Sequence, residues 1–512
     1  MTSSSICILI AMILYLGVVI YVGFRNSKKN ETSADFYLGG RKLGPYVTAM
    51  SAEASDMSSY LLMGLPGLAY LSGLADVTWT IIGLGIGTYL NWLFTAKRLR
   101  RYSQITDSYT LPQFFSNRYK DKKSILSCIS ALIIIVFFVP YTGSGFAACG
   151  KLFNSLFGVD YHVAMIICAV VIILYTTAGG FTAASTTDFI QSIVMTVALI
   201  SILIFATYQA GGPAAVVENA RSLDGYFSMF ATYSETTGEG SPYTVLTIIT
   251  TLSWGLGYFG MPHILLRFMA IKDENKLKVS RRVATVWVFI AMGIAVFIGL
   301  VGNALGHQGV TELLTGSNTE TVIVSIANYL SGFGIIPALL AGIVLAGILA
   351  STMSTADSQL LAASSSVSEN LLKETFHVKV SERANMTFAR ITVVIIAVFG
   401  VIIAWNQDSS IFNIVSFAWA GFGATFGPTM ILALFWKRST LPGAVAGLIC
   451  GGVMVFVWEY ILTPLGGVFA VYELLPAFIV GIIVNIIVSL CTKAPDEEIS
   501  AQFELAKSRT VL

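Results

Sequence analysis

Charged residues are scarce in this chain of 512 residues, because Asp, Glu, Lys and Arg together make up 11% of it, against 55% hydrophobic residues. A soluble chain of average composition has about 25% charged residues, and this length would require about three globular domains with polar surfaces. The shortage of charge excludes a soluble enzyme, a nucleic-acid-binding protein and a disordered chain. It predicts a polytopic membrane protein with the lipid bilayer as its surroundings.

Motifs for metal or nucleotide chemistry are also missing. No pair among the six Cys has the spacing of metal ligands, and the four His are far apart in the sequence. The nucleotide-binding pattern GxxxxGKS/T, the zinc-protease pattern HExxH and the hydrolase pattern GxSxG do not occur. We therefore expect neither an ATP-driven pump nor a membrane hydrolase, and no enzyme activity.

Thirteen stretches are apolar over the roughly 20 residues that a helix needs to cross a bilayer. They cover residues 5–24, 45–71, 75–96, 124–150, 159–177, 184–208, 244–269, 281–305, 334–367, 386–405, 411–436, 442–461 and 471–491. Lipid offers no hydrogen bonds to the backbone, and these runs lack the alternation of barrel strands. The predicted fold is therefore an all-α polytopic membrane protein with 13 transmembrane helices.

The basic residues are distributed asymmetrically between the connecting segments. With the N-terminus outside, 28 of the 30 Lys and Arg fall on the inner side, and only Lys151 and Arg221 fall outside. Basic residues are concentrated on the cytoplasmic side of membrane proteins. We therefore predict a transmembrane domain at 1–492 with its N-terminus outside, followed by a cytoplasmic tail at 493–512, in the cell (inner or plasma) membrane.

Two of the apolar stretches are interrupted by residues that are poor in a lipid-facing helix. The segment 51–59 contains the carboxylates Glu53 and Asp56. The segment 253–262 contains three Gly and a Pro, together with Trp254. Packing kinks are the ordinary explanation, but broken helices five spans apart are typical of a transporter site near the bilayer midplane. Ionisable residues within such spans also favour a functional site.

The ninth stretch carries a stripe of oxygen atoms. Ser351, Ser354, Thr355 and Ser358 are spaced i, i+3, i+4 and i+7, so they share one helix face. Hydroxyl side chains also pack ordinary membrane helices, but the neighbouring Asp357 favours a site for a small hard cation. Asp188 opens the sixth stretch, where capping of a helix N-terminus is an equally good interpretation.

Seven segments follow a known pattern, in order, over nearly the whole chain. They are YLGGRKLGP at 37–45, ASDMS at 54–58, LMGLPG at 62–67, WGLGYFG at 254–260, PHIL at 262–265, MST at 353–355 and AWAGFG at 418–423. These segments resemble the sodium/solute symporter family, and within it the bacterial sodium/proline symporters. The resemblance implies a five-plus-five inverted repeat of the LeuT type, with one extra N-terminal and two extra C-terminal helices.

The resemblance also implies roles for individual residues. The implied sodium-binding residues are Ala54, Met57, Ser351, Ser354, Thr355 and Asp56, the first three through backbone carbonyls. The implied substrate-binding residues are Ser58, Tyr141, Trp254, Tyr258 and Pro262. Arg41 matches an arginine important for coupling, and Glu53 is a second candidate for coupling or gating. In some relatives, residues matching Asp188, Asp357 and Ser358 form a second cation site.

The expected function is a sodium-coupled secondary active symporter that imports a small amino acid, with L-proline the favoured substrate and Na⁺ the co-transported ion. Glu53, Ser59 and Tyr60 depart from Gly, Gly and Trp in the proline symporters, so another small amino acid or carboxylate is an alternative substrate. One or two sodium ions, and proton exchange through Glu53, stay open as alternatives. A channel and a membrane sensor are disfavoured, because no carbonyl filter is evident and the tail is short.

Overall fold

The computed structural model describes residues 2–27, 33–378 and 381–508, and almost all of its secondary structure is helical. The α-helices are α1 Ser3–Ser27, α2 Ser33–Leu38, α3 Pro45–Ser59, α4 Leu65–Ser72, α5 Leu74–Leu90, α6 Ala96–Ile105, α7 Leu111–Arg118, α8 Ile125–Phe157, α9 Tyr161–Gln209, α10 Pro213–Ser222, α11 Val245–Leu252, α12 Pro262–Ala270, α13 Leu277–His307, α14 Val322–Ser331, α15 Ile335–Ser365, α16 Glu382–Ile403, α17 Ile411–Phe435, α18 Leu441–Val457, α19 Leu474–Cys491 and α20 Glu497–Lys507.

Shorter helical turns extend or connect these helices. The 3₁₀ turns are Gly39–Arg41, Ser253–Phe259, Glu274–Lys276, Gly316–Thr321, Thr463–Leu465 and Gly467–Phe469, and the π turns are Tyr60–Gly64, Asn91–Thr95, Ser366–Thr375 and Trp458–Leu462. Strands β1 Ala231–Tyr233 and β2 Gly240–Pro242 pair antiparallel in the long connection after α9, with Thr232 opposite Ser241. The same connection contains the short helix α10.

Nine helices within the described residues are long and apolar enough to cross a membrane. The other four predicted stretches are helical as well: two are interrupted, at 45–72 and 245–270, and two lie within α9 and α16. The prediction of a helical polytopic membrane protein is confirmed.

The two apolar stretches predicted at 159–177 and 184–208 meet at Gly180, within the inner connection predicted at 178–183. Gly180 has a φ of +68° and a ψ of −177°, which are not helical. Such a φ is accessible to glycine at little steric cost. The two helical segments of α9 are therefore joined by a sharp break at one residue.

The core of the bundle is built around α15 and α17. In their most apolar windows, 67% and 89% of the residues are buried, against 28% in α1. α15 packs against α1, α3, α8 and α9, whereas α17 packs against α8, α18 and α19. The helix with the oxygen stripe is thus enclosed by protein rather than by lipid.

The predicted tail at 493–512 contains a docked helix, although its last four residues lie outside the described part of the chain. α20 packs against α6, and the Phe503 ring lies under the guanidinium groups of Arg98 and Arg118 at 5.5 and 5.4 Å. Ion pairs join Glu498 to Lys120 and Glu504 to Lys437. Phe503 itself is buried, so an apolar contact anchors the helix and the charges surround it.

Candidate functional site

The first helix break lies at Ser58, at the end of α3. Its φ of +48° and ψ of −166° are not helical, and a positive φ is uncommon for a residue with a side chain. The Ser58 hydroxyl accepts a hydrogen bond from the backbone N–H of Tyr60 at 3.1 Å. A π turn follows at Tyr60–Gly64 before the chain resumes as α4. The interruption that the sequence predicted at 51–59 is confirmed, and it is local to one residue.

The second break joins α11 to α12. Residues Ser253–Phe259 form a 3₁₀ turn, Met261 is extended, and Pro262 begins α12. The loosened carbonyls find side-chain donors: Trp419 Nε1 donates to the Trp254 carbonyl, and Asn91 Nδ2 to the Tyr258 carbonyl, each at 2.8 Å. Within a membrane, irregular backbone is tolerated only where protein or water satisfies it. Pro262, as the first residue of α12, therefore contributes to the backbone geometry of the second break.

Helix α5 lies unusually close to the second break because of its glycines. A Cβ atom on Gly87 would overlap the backbone of Gly255, and one on Gly83 would overlap Leu252. Small residues permit this close approach of membrane helices. The approach brings Leu84 and Asn91 to the site.

The predicted sodium-binding residues meet between α3 and α15. Ser354 Oγ donates to the Ala54 carbonyl at 2.8 Å. The Ser351 carbonyl accepts from Ser354 Oγ and from Thr355 Oγ1, each at 3.1 Å. All four residues are buried, and the Met57 carbonyl lies one helical turn further along α3, next to the break. The fold thus gathers oxygen ligands of the type that a small hard cation prefers.

Asp56 faces a small cavity between the two breaks. Tyr258 Oη donates to Asp56 Oδ2 at 2.6 Å, and Tyr141 Oη donates to the Asp56 carbonyl at 3.2 Å. Asp56 Oδ1 is buried and has no hydrogen-bond partner among residues 2–27, 33–378 and 381–508. A buried carboxylate oxygen without a partner is costly, so this oxygen is suited to a donor from a ligand.

The cavity is lined mostly by aromatic and apolar side chains. The lining residues are Asp56, Met57, Tyr60, Leu84, Tyr141, Trp254, Met292, Val415 and Trp419. The sequence predicted Asp56, Met57, Tyr141 and Trp254 as site residues. Trp419 falls within the AWAGFG segment, so the family resemblance could have indicated it as a site residue. Leu84, Met292 and Val415 are ordinary apolar residues on three different helices, and no local pattern marks them.

Three predicted substrate residues lie outside this lining. Ser58 forms the first break, Tyr258 positions the Asp56 carboxylate by donating a hydrogen bond to it, and Pro262 begins α12. Among the three departures from the proline symporters, Tyr60 lines the cavity, whereas Glu53 and Ser59 do not contribute to the described lining.

Four aromatic rings pack together beside the cavity, and two of them, Tyr60 and Trp254, line it. Trp254 lies 5.9 Å from Tyr60, 5.5 Å from Phe412 and 5.1 Å from Tyr472, measured between ring centroids. Tyr60 and Phe412 are also 5.9 Å apart. We call these four rings the aromatic lid.

Glu53 points away from the cavity, towards α5. Its Oε1 accepts from Trp92 Nε1 at 2.9 Å and from Thr88 Oγ1 at 3.1 Å, and the residue is 1% exposed. Its contacts connect α3 to the π turn Asn91–Thr95. The contribution of Glu53 visible in the structure is therefore a link between these two helices.

The residues of the possible second cation site surround an arginine. Arg267 Nη2 lies 3.1 Å from Asp188 Oδ2 and donates to Ser358 Oγ at 2.5 Å. Ser51 Oγ donates to the same Asp188 oxygen at 2.7 Å, and Ser358 Oγ donates to Asp357 Oδ1 at 3.1 Å. Asp188 lies inside α9 rather than at a helix start, so the capping interpretation was wrong.

Arg41 connects several elements at the basic-residue side of the bundle. Its guanidinium donates to the carbonyls of Ser108 and Met269, each at 2.7 Å, and of Ser103 at 3.0 Å. Burial, together with the nearby Arg100, lowers the pKa of Arg41 to about 10, so it is charged at neutral pH. Three carbonyls on separate segments thus share one cation.

Comparisons with known proteins found a matching family profile and relatives that are similar over most of the chain. Residues 36–451 match the sequence profile of the Sodium:solute symporter family. The chain is 40% identical over 486 residues to the high-affinity proline transporter PutP of Bacillus subtilis strain 168, covering 95% of this chain and 98% of the relative. It is also 40% identical over 494 residues to the osmoregulated proline transporter OpuE of the same organism, covering 96% of each chain.

A sodium/proline symporter of Staphylococcus aureus strain USA300 is likewise 40% identical over 494 residues, covering 95% of this chain and 93% of the relative. Among solved structures, a Na⁺-coupled sialic acid symporter in a substrate-bound outward-open state matches with a TM-score of 0.78 at 20% identity, covering 96% and 99% of the two chains. Mhp1, a nucleobase-cation-symport-1 family transporter, matches with a TM-score of 0.57 at 18% identity, covering 93% and 99%. These two likenesses concern the fold.

Proposed function

Since this chain belongs to the sodium:solute symporter family, we propose that it imports L-proline together with Na⁺ by alternating access. The family makes it a multi-pass membrane transporter with Na⁺ as the co-transported ion. The observation that carries the proposal is the position of the Asp56 carboxylate. It faces an aromatic cavity and lies within one helical turn of the first break, at Ser58. The relatives at 40% identity that are named proline transporters support the choice of substrate.

We place sodium at the Ala54–Ser354 contact, with Met57, Ser351 and Thr355 completing the site. The hydrogen bond from Ser354 to the Ala54 carbonyl keeps the two helices at a distance that one ion can bridge. Asp56 is not among these contacts, since its carboxylate bonds to Tyr258. We assign it to the substrate.

The cavity suits proline for three reasons. Asp56 Oδ1 offers an acceptor to the substrate ammonium group, and the flat rings of Tyr60, Trp254 and Trp419 suit a compact apolar ring. The N-terminus of the half-helix after the first break attracts a carboxylate. Tyr60 retains an aromatic wall where the proline symporters carry Trp, so this departure is compatible with proline. Uptake with competing small amino acids and carboxylates tests the alternative substrates.

Alternating access requires contacts that close each end of the cavity. The aromatic lid closes one end, and Arg41 ties together the backbone at the other. We therefore propose Arg41 as a residue of the inner gate. Sodium entry driven by the membrane potential supplies about 2.3 kcal/mol per charge per 100 mV.

We further propose all thirteen helices as spans, with the N-terminus outside, ten helices in two inverted repeats and α20 in the cytoplasm. The charge distribution along the sequence supports this orientation. A cysteine replacing exposed Thr236, between β1 and β2, in a chain whose six native cysteines have been replaced, should react with an impermeant maleimide added outside intact cells, whereas the cysteine-free chain should not. Labelling of Thr236→Cys only after permeabilisation would reverse the orientation.

The sodium site predicts the effect of removing its hydroxyl ligands. Ser354→Ala or Thr355→Val should raise the sodium concentration for half-maximal proline uptake by about tenfold or more, since one hydrogen bond to a charged group is worth about 1.5–3 kcal/mol. Ser364→Ala is the control, because its hydroxyl donates to the Leu361 carbonyl of its own helix. Unchanged sodium dependence in both site variants would remove the site.

The substrate site predicts a selective effect of the Tyr258 hydroxyl. Tyr258→Phe should raise the proline concentration for half-maximal uptake by about tenfold and leave sodium dependence nearly unchanged, because Asp56 loses its positioning donor. Tyr119→Phe is the matched control, since that buried hydroxyl shares a hydrogen bond with Ser439 Oγ instead. Equal loss of proline and sodium affinity would indicate a general structural role.

We infer that one sodium ion is transported per cycle, because the Arg267 guanidinium already lies between Asp188 and Ser358. Sodium-dependent uptake should show a Hill coefficient of about one in the parent and in the double variant Asp188→Asn/Arg267→Gln. The double variant removes both charges, because a lone buried charge would cost about 3–5 kcal/mol. A parent coefficient clearly above one that falls to one in the variant would instead establish a second sodium ion.

A further inference from the structure

The helix α20 lies on the predicted inner side of the bundle, where one apolar stripe attaches it. Ile499, Phe503 and Ala506 are buried, and their spacing of four and three residues puts them on one helix face. α20 has 11 residues, fewer than an isolated helix needs to be stable in water. Its helical structure therefore depends on this attachment.

The middle residue of the stripe, Phe503, completes the enclosure of a buried charge. The Arg118 guanidinium lies over three rings at 5.3, 5.0 and 5.4 Å from their centroids, those of Tyr102, Tyr119 and Phe503. Arg118 is buried, and its Nη1 and Nη2 have no hydrogen-bond partner within the described part of the chain. Aromatic faces stabilise such a cation. When α20 moves away, water can hydrate the same charge, so the loss of the ring is partly offset.

Further contacts of α20 lead to three other helices. Its ion pairs reach residues just beyond the ends of α7 and α17, and both pairs are partly exposed. Arg98 of α6 lies between Phe503 and Phe435, with its guanidinium carbon 5.5 and 4.7 Å from the two ring centroids. Phe435 is the last residue of α17. The docked helix therefore joins the inner ends of α6, α7 and α17.

The α6 side of this contact belongs to the inner gate proposed above. Arg101 of α6 donates to the Ser508 carbonyl, just after α20, at 2.9 Å. Its Nε and Nη2 donate to the two carboxylate oxygens of Glu274, each at 2.7 Å. Two residues further on, the Ser103 carbonyl accepts from Arg41, which also holds α12 through a backbone carbonyl. α20 is thus attached to the segment that Arg41 ties to α12.

We propose that α20 is a clamp on the inner gate, with Phe503 as its positioning residue. When docked, it holds the inner end of α6 against those of α7 and α17 and favours the inward-closed arrangement, and it loosens when the cavity opens inwards. This inference rests on the proposed transport function and its orientation. Partly exposed ion pairs around a short apolar stripe make a weak contact, and such terminal elements open more easily than the core.

The first test measures how fast the cavity is reached from inside. Val415 lines the cavity, and Val415→Cys is placed in a chain whose six native cysteines have been replaced. Its reaction with an impermeant maleimide is timed in inverted and right-side-out vesicles without sodium or proline. Phe503→Ala should accelerate modification from inside about threefold or more, the factor expected from the loss of one cation–π contact, without acceleration from outside.

The matched control is Leu505→Ala, which shortens a side chain of the same helix that is 42% exposed. It should leave both rates unchanged. Removal of residues 497–512 should have the same effect as Phe503→Ala. An unchanged inside rate in Phe503→Ala, or equal acceleration from both sides, would overturn the proposal.

The second test separates a moving clamp from a fixed structural helix, and it decides the question even if Phe503→Ala fails to fold. Lys437→Cys and Glu504→Cys are combined in the cysteine-free chain and joined by a short bifunctional maleimide, which keeps α20 docked. Cross-linking should lower the maximal rate of sodium-driven proline uptake severalfold, whereas each single-cysteine chain treated in the same way should be unaffected. Full uptake after complete cross-linking would contradict the clamp. Absence of sodium-driven uptake in the parent would instead contradict the proposed function, whatever the labelling shows.

Discussion

The constraint on which the rest of this structure depends is that lipid supplies no hydrogen bonds to a broken helix. Both breaks expose backbone groups in the middle of the bundle, and neighbouring helices must satisfy them. Trp419 and Asn91 do so at the second break, and Ser354 does so at the first. Because those donors come from α5, α15 and α17, the breaks fix how these helices pack. The site and the scaffold are therefore held by the same contacts.

Buried charge follows a similar rule in the described residues of the bundle. Asp188 pairs with Arg267 and Glu320 pairs with Lys151, whereas Asp56 and Glu53 accept hydrogen bonds from neutral Tyr, Trp and Thr side chains. A paired charge stabilises one arrangement of helices. A carboxyl group held by neutral donors can keep an oxygen available for a ligand, as Asp56 Oδ1 does within the described residues. This difference in hydrogen-bond partners distinguishes Asp56, which faces the cavity, from the ion pairs that join the helices around it.

The site was predictable where its chemistry is unusual for a membrane span and unpredictable where it is not. Carboxylates, clustered glycines and a stripe of hydroxyls are rare enough in apolar stretches to mark the two breaks and the ninth span. Leu84, Met292 and Val415 are ordinary apolar residues, and they line the cavity only because three helices converge on it. Arg267 lies in the stretch predicted at 244–269, and nothing in its local sequence indicates that the fold buries its guanidinium beside Asp188.

The sequence by itself determined the membrane environment, the helical class, the positions of the two breaks and the oxygen-bearing face of the ninth span. Each follows from local composition or periodicity, which lipid and helix geometry convert directly into structure. Only the tertiary structure decided that Asp188 pairs with an arginine, that Tyr258 positions Asp56 and that the break within α9 is confined to Gly180. These depend on which helices meet across long sequence separations, and local patterns carry no information on such pairings.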